Sequence, residues 1–380
     1  MYIKQNYRIY PTYEQEQLFF QWMGCGRVIW NKMIDLNNNT YKETKKFVFY
    51  NDMSKEIIKQ KNDLPWLSDC PSQVLQQKCM DLSAAITKFI KNKKSVGFPS
   101  YKSRRKDTSG IRFPQGYKFN GNRLILPKMK RGVKINLHRE ILGRTTGCTI
   151  IRNNANQWFA SFTVEVNDVI PIAFEQSLKV VGVDVGLKDF AVCSDGVVYK
   201  SQNFLRKAEG KIKKAQRKLA KKEKGSKNRE KARLVVAKLH NKVYNQRTDY
   251  IKKTAHSIVK SADVVVTEDL NISGMMKNHC LAKSIADASW YAFTQQLEWQ
   301  CKKNGKIFHK IGTFFPSSKT CNKCGCIKDN LGLSTRIYIC NHCSHTMDRD
   351  LNAACNIRDQ GKRDLTPECS NTAGTAEINA

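Results

Sequence analysis

The segment VVGVDV at 180–185 constrains this chain more than any other. Val180, Val181, Val183 and Val185 have the β-branched bias of a central strand, yet Asp184 sits among them, and Asp is depleted in such settings. An unpaired carboxylate buried there costs several kcal/mol, so a cation is expected to meet it. The pattern returns in SADVVVTEDL at 261–270: Val264, Val265 and Val266 predict a second buried strand, with Glu268 just beyond its end. A third carboxylate, Asp350 in DRDLNAACNI, introduces what reads as a helix. Each has an ordinary explanation alone: Asp184 as a turn residue, Glu268 as a strand end, and Asp350 or Asp348 as a helix N-cap. Together, two carboxylates at strand ends and a third at a helix start suit Mg²⁺, which takes oxygen ligands and keeps water and phosphate oxygens for the rest.

Net charge says what the carboxylates face. The chain of 380 residues has 66 Lys+Arg against 33 Asp+Glu, a net charge of +33, far beyond what solubility needs. It is expected to meet a polyanion. With 41% hydrophobic and 9% aromatic residues it can bury real cores, which excludes a disordered basic tail, and the length predicts two or three domains. No apolar run of about 18 residues occurs, and MYIKQNYRIYPTYEQ has no signal-peptide core, so a soluble cytoplasmic protein, nucleoid-associated and without a membrane partner, is expected. Between Arg206 and Lys238 lie fifteen Lys/Arg against three Glu. Leu205, Ala208, Ile212, Ala215 and Leu219 recur at heptad spacing, and Leu239 and Val243 fit a helix returning after KGSKN, which predicts an antiparallel helical hairpin. A charge run is often only a solvated face. This one is too one-sided for internal pairing, which favours a nucleic-acid track that includes Lys211, Lys214 and Lys218.

Of the fourteen cysteines, most are single and in apolar surroundings (Cys25, Cys79, Cys193, Cys301), as reduced core cysteines are. CNKCGC at 321–326 and CNHC at 340–343 are different. Cys321 and Cys324, then Cys340 and Cys343, have the spacing of two knuckles that hold one tetrahedral Zn²⁺, with STRIYIC as a strand of the hairpin between them. Cys326, His342 and His345 lie close enough to complicate the ligand set; four cysteines are the simplest solution.

The first 170 residues read as a helical part embedded in a strand-rich part. Thr12 and Gln15 form a capping box before an amphipathic helix, or a helix pair broken near Gly24 and Gly26. A further helix follows Pro71, with Leu75, Cys79, Leu82, Ile86 and Phe89 as its apolar stripe and Gln73, Gln76, Gln77 and Met80 on another face. From about 110 to 168, short alternating runs between Gly- and Asn-rich turns predict a small antiparallel barrel. After Asp184, DFAVCSDGVVYK predicts a hairpin turning at Asp195 and Gly196.

GVDVG, TEDL and DRDLNAA, in this order around an inserted Cys-x-x-Cys ribbon, resemble the three-part RuvC core of TnpB, the transposon-encoded family ancestral to type V CRISPR effectors. YRIYPTYEQEQLFFQWMGCGRVIWN, GFPSYKSRR, QWFASFTVEV, LAKSIADASWYAFTQQLEW and FFPSSKTCNKCG extend the resemblance to nearly the whole chain. It implies an α/β RNase H-like nuclease core, at 178–315 and 346–362 with the basic hairpin at 203–260, and a zinc ribbon inserted at 316–345. It also implies a wedge β-barrel at 1–10 and 95–170, a helical recognition domain at 11–94 and a flexible tail at 363–380. Asp184, Glu268 and Asp350 would then be catalytic and hold two Mg²⁺ ions, and Cys321, Cys324, Cys340 and Cys343 would hold one Zn²⁺. A structured guide RNA from the transposon end and double-stranded target DNA beside a short motif would be the partners. Gln73, Gln76 and Gln77 could pair with adenine edges in that motif, helped by Tyr50, although exposed polar residues on a surface helix explain the glutamines equally well. Cys355 departs from the family pattern, where a small or aliphatic residue is usual. The implied function is RNA-guided DNA cleavage. A miniature type V effector shares every motif, a guide-dependent DNA-binding regulator would be expected to lack a core carboxylate, and a strand-transferring transposase fits the split core poorly.

Overall fold

The computed structural model describes residues 1–104, 110–332 and 335–366. Two compact units divide the chain at Asp168. In the first, β1 (Tyr2–Tyr10) is followed by α1 (Tyr13–Thr44), α2 (Tyr50–Asp63), a 3₁₀ turn at Pro65–Asp69 and α3 (Ser72–Lys91). Six strands then complete the sheet: β2 (Ile111–Phe113), β3 (Lys118–Asn120), β4 (Arg123–Ile125), β5 (Val133–Asn136), β6 (Arg144–Arg152) and β7 (Trp158–Glu165). The sheet is antiparallel throughout, in the order β2-β6-β7-β1-β5-β4-β3. Helices and sheet share one core, in which Phe19 of α1 lies 5.2 Å from Trp158 of β7, ring to ring.

The capping box forms as expected: the Thr12 hydroxyl accepts from Gln15 N–H, and the Gln15 side chain accepts from Thr12 N–H. The break expected near Gly24 and Gly26 does not occur, and α1 runs unbroken to Thr44. Gly26 is buried where a Cβ would lie 3.3 Å from the Lys78 side chain, so its small size admits α3 rather than ending α1. On α3 the apolar stripe is buried as expected from Leu75 to Ile86, with Phe89 half-buried, but Val74, Gln77 and Lys78 are buried too. The helix packs against α1, α2 and β2, so the protected arc is wider than one stripe.

In the second unit the strands are β8 (Val180–Val185), β9 (Asp189–Cys193), β10 (Val198–Lys200), β11 (Val264–Glu268) and β12 (Ile307–Ile311), in the order β10-β9-β8-β11-β12. The β8-β11-β12 part is parallel and the β8-β9-β10 part antiparallel. The basic hairpin is α4 (Phe204–Ala220) and α5 (Lys227–Ser261). Its turn is closed by Ser226, which accepts from Arg229 N–H, and by Arg229, which donates to the carbonyls of Leu219 and Lys222. After β11 come α6 (Ile272–Met275), α7 (His279–Ala288) and α8 (Trp290–Lys303); after β12 come β13 (Ile337–Ile339), β14 (Thr346–Asp348) and α9 (Arg349–Leu365). The strand expected over STRIYIC is thus shorter, its Ser334 lying outside the described residues. The tail expected over 363–380 begins inside α9, and 367–380 lie outside the described residues.

Alternation along the strands divides the valines between two cores. Val181, Val183 and Val265 face α5 and α8, whereas Val180, Val264 and Val266 face α9. Gly182 lies on the α9 side, where a Cβ would collide with the carbonyl of Ala354 and the N–H of Arg358. Near the far end of the helix, a Cβ on Gly361 would lie 2.5 Å from both methyl groups of Val266. The backbone of α9 therefore rests directly on the sheet at two points.

A methyl group at Gly182 should force the helix away, so Gly182→Ala is expected to cost about 3 kcal/mol, at the upper end for overpacking. Gly210, inside α4 with open space around it, should respond in the opposite sense, Gly210→Ala stabilising by about 0.5–1 kcal/mol. Denaturant titration of the two variants reads both signs.

Candidate active site

Strand parity aims the first two carboxylates. Asp184 follows Val180 and Gly182 on the α9 face of β8, and Glu268 follows Val264 and Val266 on the same face of β11. The parallel register pairs Val183 with Thr267, so Asp184 and Glu268 are the next residues along, side by side at the carboxyl ends of adjacent strands. Glu268 is the last residue of its strand rather than beyond it. Asp350 arrives from the first turn of α9. Hydrogen bonding distinguishes Asp348 from Asp350: Asp348 is the N-cap, its Oδ1 accepting from the N–H groups of Asp350 at 2.9 Å and Leu351 at 3.1 Å. That leaves the Asp350 carboxylate free to face the other two.

The three groups repel one another electrostatically. Burial pushes the Asp184 carboxyl well above the usual carboxylate range, and the charges of Glu268 and Asp350 push it further. The charge of Arg349 opposes that rise without overcoming it. Glu268 is raised by burial and partly relieved by a hydrogen bond from the Ser317 hydroxyl. Half-buried carboxylates crowded in this way are a donor set suited to a hard divalent cation.

Ser317 belongs to a clamp that the sequence reading missed. On α9, Asn352 and Asn356 are spaced one turn apart and buried. The Asn352 amide donates to Thr320 O at 2.7 Å and its Oδ1 accepts from Asn322 N–H at 3.0 Å. Asn356 donates to Ser317 O and Thr320 O, both at 2.7 Å, and Asn322 donates in turn to Asp359 at 2.8 Å. One strap, 317–322, thereby joins Glu268 at one end to Cys321 at the other. The signal was present in DLNAACNI, where two Asn recur at four-residue spacing on an otherwise apolar face. Cys355, between them, is buried with its Sγ 3.8 Å from Ser194 O, a packing role.

The cysteine ribbon fits a tetrahedral ion. The Sγ atoms of Cys321, Cys324, Cys340 and Cys343 all lie within 4.8 Å of one another, with edges of 3.7 Å for Cys321–Cys343 and 3.6 Å for Cys324–Cys340. Four sulfurs at about 2.3 Å from a central Zn²⁺ would be about 3.8 Å apart. Each knuckle repeats one hydrogen-bond pattern. Cys321 N–H donates to Cys326 O and Gly325 N–H to Cys321 O; Cys340 N–H donates to His345 O and Ser344 N–H to Cys340 O. Cys326 and His345 thus occupy equivalent places that supply carbonyls. Cys324, Cys326 and His342 also gather, but a structural zinc site closes with four ligands, which the four-cysteine set provides. Backbone N–H groups of Cys343 and His342 lower the Cys340 thiol to about 6, in favour of the thiolate that binds metal.

The expected nucleic-acid contacts fare unequally. Lys211, Lys214 and Lys218 are exposed along α4, and among the described residues none has a carboxylate partner. Tyr50 opens α2 and borders a shallow recess with Met80 and Lys88. Gln76 is exposed and Gln73 is half-buried, accepting from Gln115 N–H at 3.4 Å. Gln77 does not face outward as expected: it is buried under the wider arc of α3 and donates to Asp81 at 2.9 Å.

Two measurements test this geometry. Because the folded state holds the Asp184 proton more tightly than the unfolded chain does, stability from this group is full in acid and lost as pH rises through its folded value. Asp184→Asn should therefore raise the melting midpoint at pH 7.5 without added magnesium, by about 2–4 °C if the relief is about 1 kcal/mol, and the gain should shrink on acidification. Cys340→Ser should lose the metal that Cys326→Ser retains at one zinc per chain, as read by atomic absorption.

Models of known families match three stretches: a probable transposase (OrfB of IS605) at 161–279, a Cas12f1-like TNB domain at 290–357 and a helix-turn-helix domain at 1–46. In this chain the last stretch holds β1 and the single helix α1. The fold is similar to that in a cryo-EM structure of a Cas12f1-sgRNA-target DNA complex, with a TM-score of 0.56 at 18% identity over 91% of this chain and 83% of that one. A putative RNA-guided DNA endonuclease of Streptomyces pristinaespiralis is 32% identical over 93% of this chain and 87% of its own length. The putative RNA-guided DNA endonuclease InsQ of Escherichia coli K12 is 28% identical over 93% and 90%. The TnpB-like protein L770 of Acanthamoeba polyphaga mimivirus is 26% identical over 93% and 72%. With a relative this similar along nearly its whole length, and the ribbon inserted between its second and third carboxylates, the chain belongs to the TnpB family.

Proposed function

We propose that this chain is an RNA-guided DNA endonuclease that hydrolyses a phosphodiester with Asp184, Glu268 and Asp350. The convergence of these three carboxylates at the carboxyl ends of two central strands of a mixed sheet carries the reading. Two Mg²⁺ ions, when bound, would supply an activated water and neutralise the leaving 3′ oxygen. The protein's part is to hold three oxygen-donor groups at fixed spacing: β8 and β11 fix two, the glycine-seated helix α9 fixes the third, and Ser317 orients Glu268. One Zn²⁺ on Cys321, Cys324, Cys340 and Cys343 would keep the strap 317–322 in place.

The names of the relatives and the +33 charge support a guide RNA and a DNA target as partners. Sequence choice would then rest on base pairing, with the protein holding backbones. The antiparallel sheet of the first unit would be the wedge, with α1–α3 as the recognition helices bearing Tyr50, Gln73 and Gln76. The second unit would be the RNase H-like RuvC core and its ribbon, with Lys211, Lys214 and Lys218 along a phosphate track. Among the described residues no helix is long and apolar enough to cross a membrane.

Expression with the native flanking DNA tests the whole reading. The protein should retain one discrete structured RNA through a high-salt wash, whereas non-specific RNA held by charge is lost steeply. Redesign of that RNA's variable end should redirect cleavage. Asp184→Ala, Glu268→Ala and Asp350→Ala should each lower cleavage at least about 1,000-fold, a loss of about 4 kcal/mol in transition-state stabilisation, with guide and target still bound. Asp348→Ala should cost only a cap, about 1 kcal/mol of stability. Heterogeneous RNA together with cutting that ignores the guide would sink the proposal.

A further inference from the structure

A cavity of about 320 Å³ opens in the second unit among Leu187 and Lys188, the start of α4, and α5, α7 and Arg336. That volume is at the small end for ligand sites and suits one nucleotide rather than a duplex. Four cations line it: Lys188, Arg206, Arg247 and Arg336. The carboxylate among them, Asp287, is already engaged. It pairs with Arg247 at 2.9 Å and accepts from Leu205 N–H at 3.1 Å, which caps the start of α4. Lys188, Arg206 and Arg336 are exposed, and among the described residues none has a carboxylate partner. Three cations that no carboxylate among the described residues offsets, in a cavity of this size, form an anion site.

Its other wall is aromatic. Phe204 and Tyr250 stand edge to face with ring centroids 6.0 Å apart, and Tyr250 is fixed by a 2.6 Å hydrogen bond to Lys200 O. Cations beside a rigid aromatic wall are what single-stranded nucleic acid requires: phosphate on one side, a base face on the other. Two of its lining residues are linked to the carboxylate-bearing segments, one along the chain and one by a backbone hydrogen bond. Lys188 is four residues beyond Asp184, at most about 14 Å along the chain. Arg336 accepts at its carbonyl from the N–H of Arg349, the residue before Asp350, at 2.8 Å.

We infer that this cavity holds one nucleotide of the DNA strand being cut, next to the scissile phosphate, with Lys188, Arg206 and Arg336 on its phosphates and Phe204 and Tyr250 against its base. The inference rests on the proposed nuclease reading and assigns it a substrate subsite. It also gives Asp287 and Arg247 a role: as a neutral pair they anchor the start of the basic hairpin and so fix the wall that carries Phe204.

The test is photo-crosslinking in the full complex of the Asp184→Ala protein with guide RNA and target DNA. 4-Thiothymidine is placed singly along either DNA strand near the cut, and 4-thiouridine along the guide. One DNA position beside the cut should crosslink to the peptides holding Phe204 or Tyr250. The triple variant Lys188→Ala, Arg206→Ala, Arg336→Ala, whose side chains are all exposed, should lower that yield about tenfold while gel shift reports target binding. Crosslinks at these peptides from the guide alone, or from neither nucleic acid while wild-type protein still cuts at the guided site, would overturn the subsite and leave the nuclease reading intact. Absence of guided cutting by wild-type protein would overturn both.

Discussion

Everything at the carboxylate site depends on how closely α9 lies on the sheet. A helix packs on a sheet at about 10 Å when side chains separate them, as in stacked layers generally. Here Gly182 and Gly361 remove the side chains at two points, and backbone meets strand. The consequence is angular as well as radial, since one contact seats the middle of the helix, at Ala354 and Arg358, and the other seats its C-terminal part, at Gly361. Asp350, in the first turn beyond the Gly182 contact, inherits that precision. Neither glycine is explained by a turn: Gly182 is a strand residue and Gly361 a helical one, each unfavourable by propensity and retained for packing.

The asparagine clamp extends the same logic to the ribbon. Asn352 and Asn356 are buried, and a buried amide left without partners costs about 1–3 kcal/mol. Their partners are carbonyls and an N–H of a single strap, so the cost falls on any arrangement in which the strap is elsewhere. Neutral amides suit this position better than charged groups would. A lysine or carboxylate in place of Asn352 or Asn356 would alter the potential at Glu268, which already feels burial, whereas an amide fixes geometry and adds no net charge, and Asp359 at the margin of the clamp is paired with Arg358. The four cysteines of the ribbon, the hydrogen bonds on α9 and the hydroxyl on Glu268 then form one continuous structural connection.

Much of this was legible in the sequence, and the failures share a cause. The valine runs, the Cys-x-x-Cys spacing, the capping box of Thr12 and the turn at Gly196 are local patterns, each determined within a few residues, and each is found where expected. The expected break in α1, the outward Gln77 and the unnoticed Asn352 and Asn356 depend on what comes from elsewhere in the chain. Gly26 reads as a helix breaker until Lys78 is beside it, and Gln77 reads as exposed until α3 is covered on three sides. Asp348 and Asp350 could not be separated by type or spacing. The hydrogen bonds of one cap separate them.

The charge pattern follows from a single constraint as well. Three carboxylates proposed to face a phosphodiester would repel it, and they repel one another when nothing neutralises them, as the elevated Asp184 shows. A divalent cation removes both problems locally. It does not bring a polyanion to the site against that acidic field. In the proposed reading the excess of lysine and arginine would do this, and its arrangement would matter more than its sum: exposed lysines line α4, and α4 begins at the Asp287 cap, beside the cavity. Cations at long range would guide a strand toward the centre, those at the cavity would hold it in register, and the acidic centre would act only on the phosphate so presented.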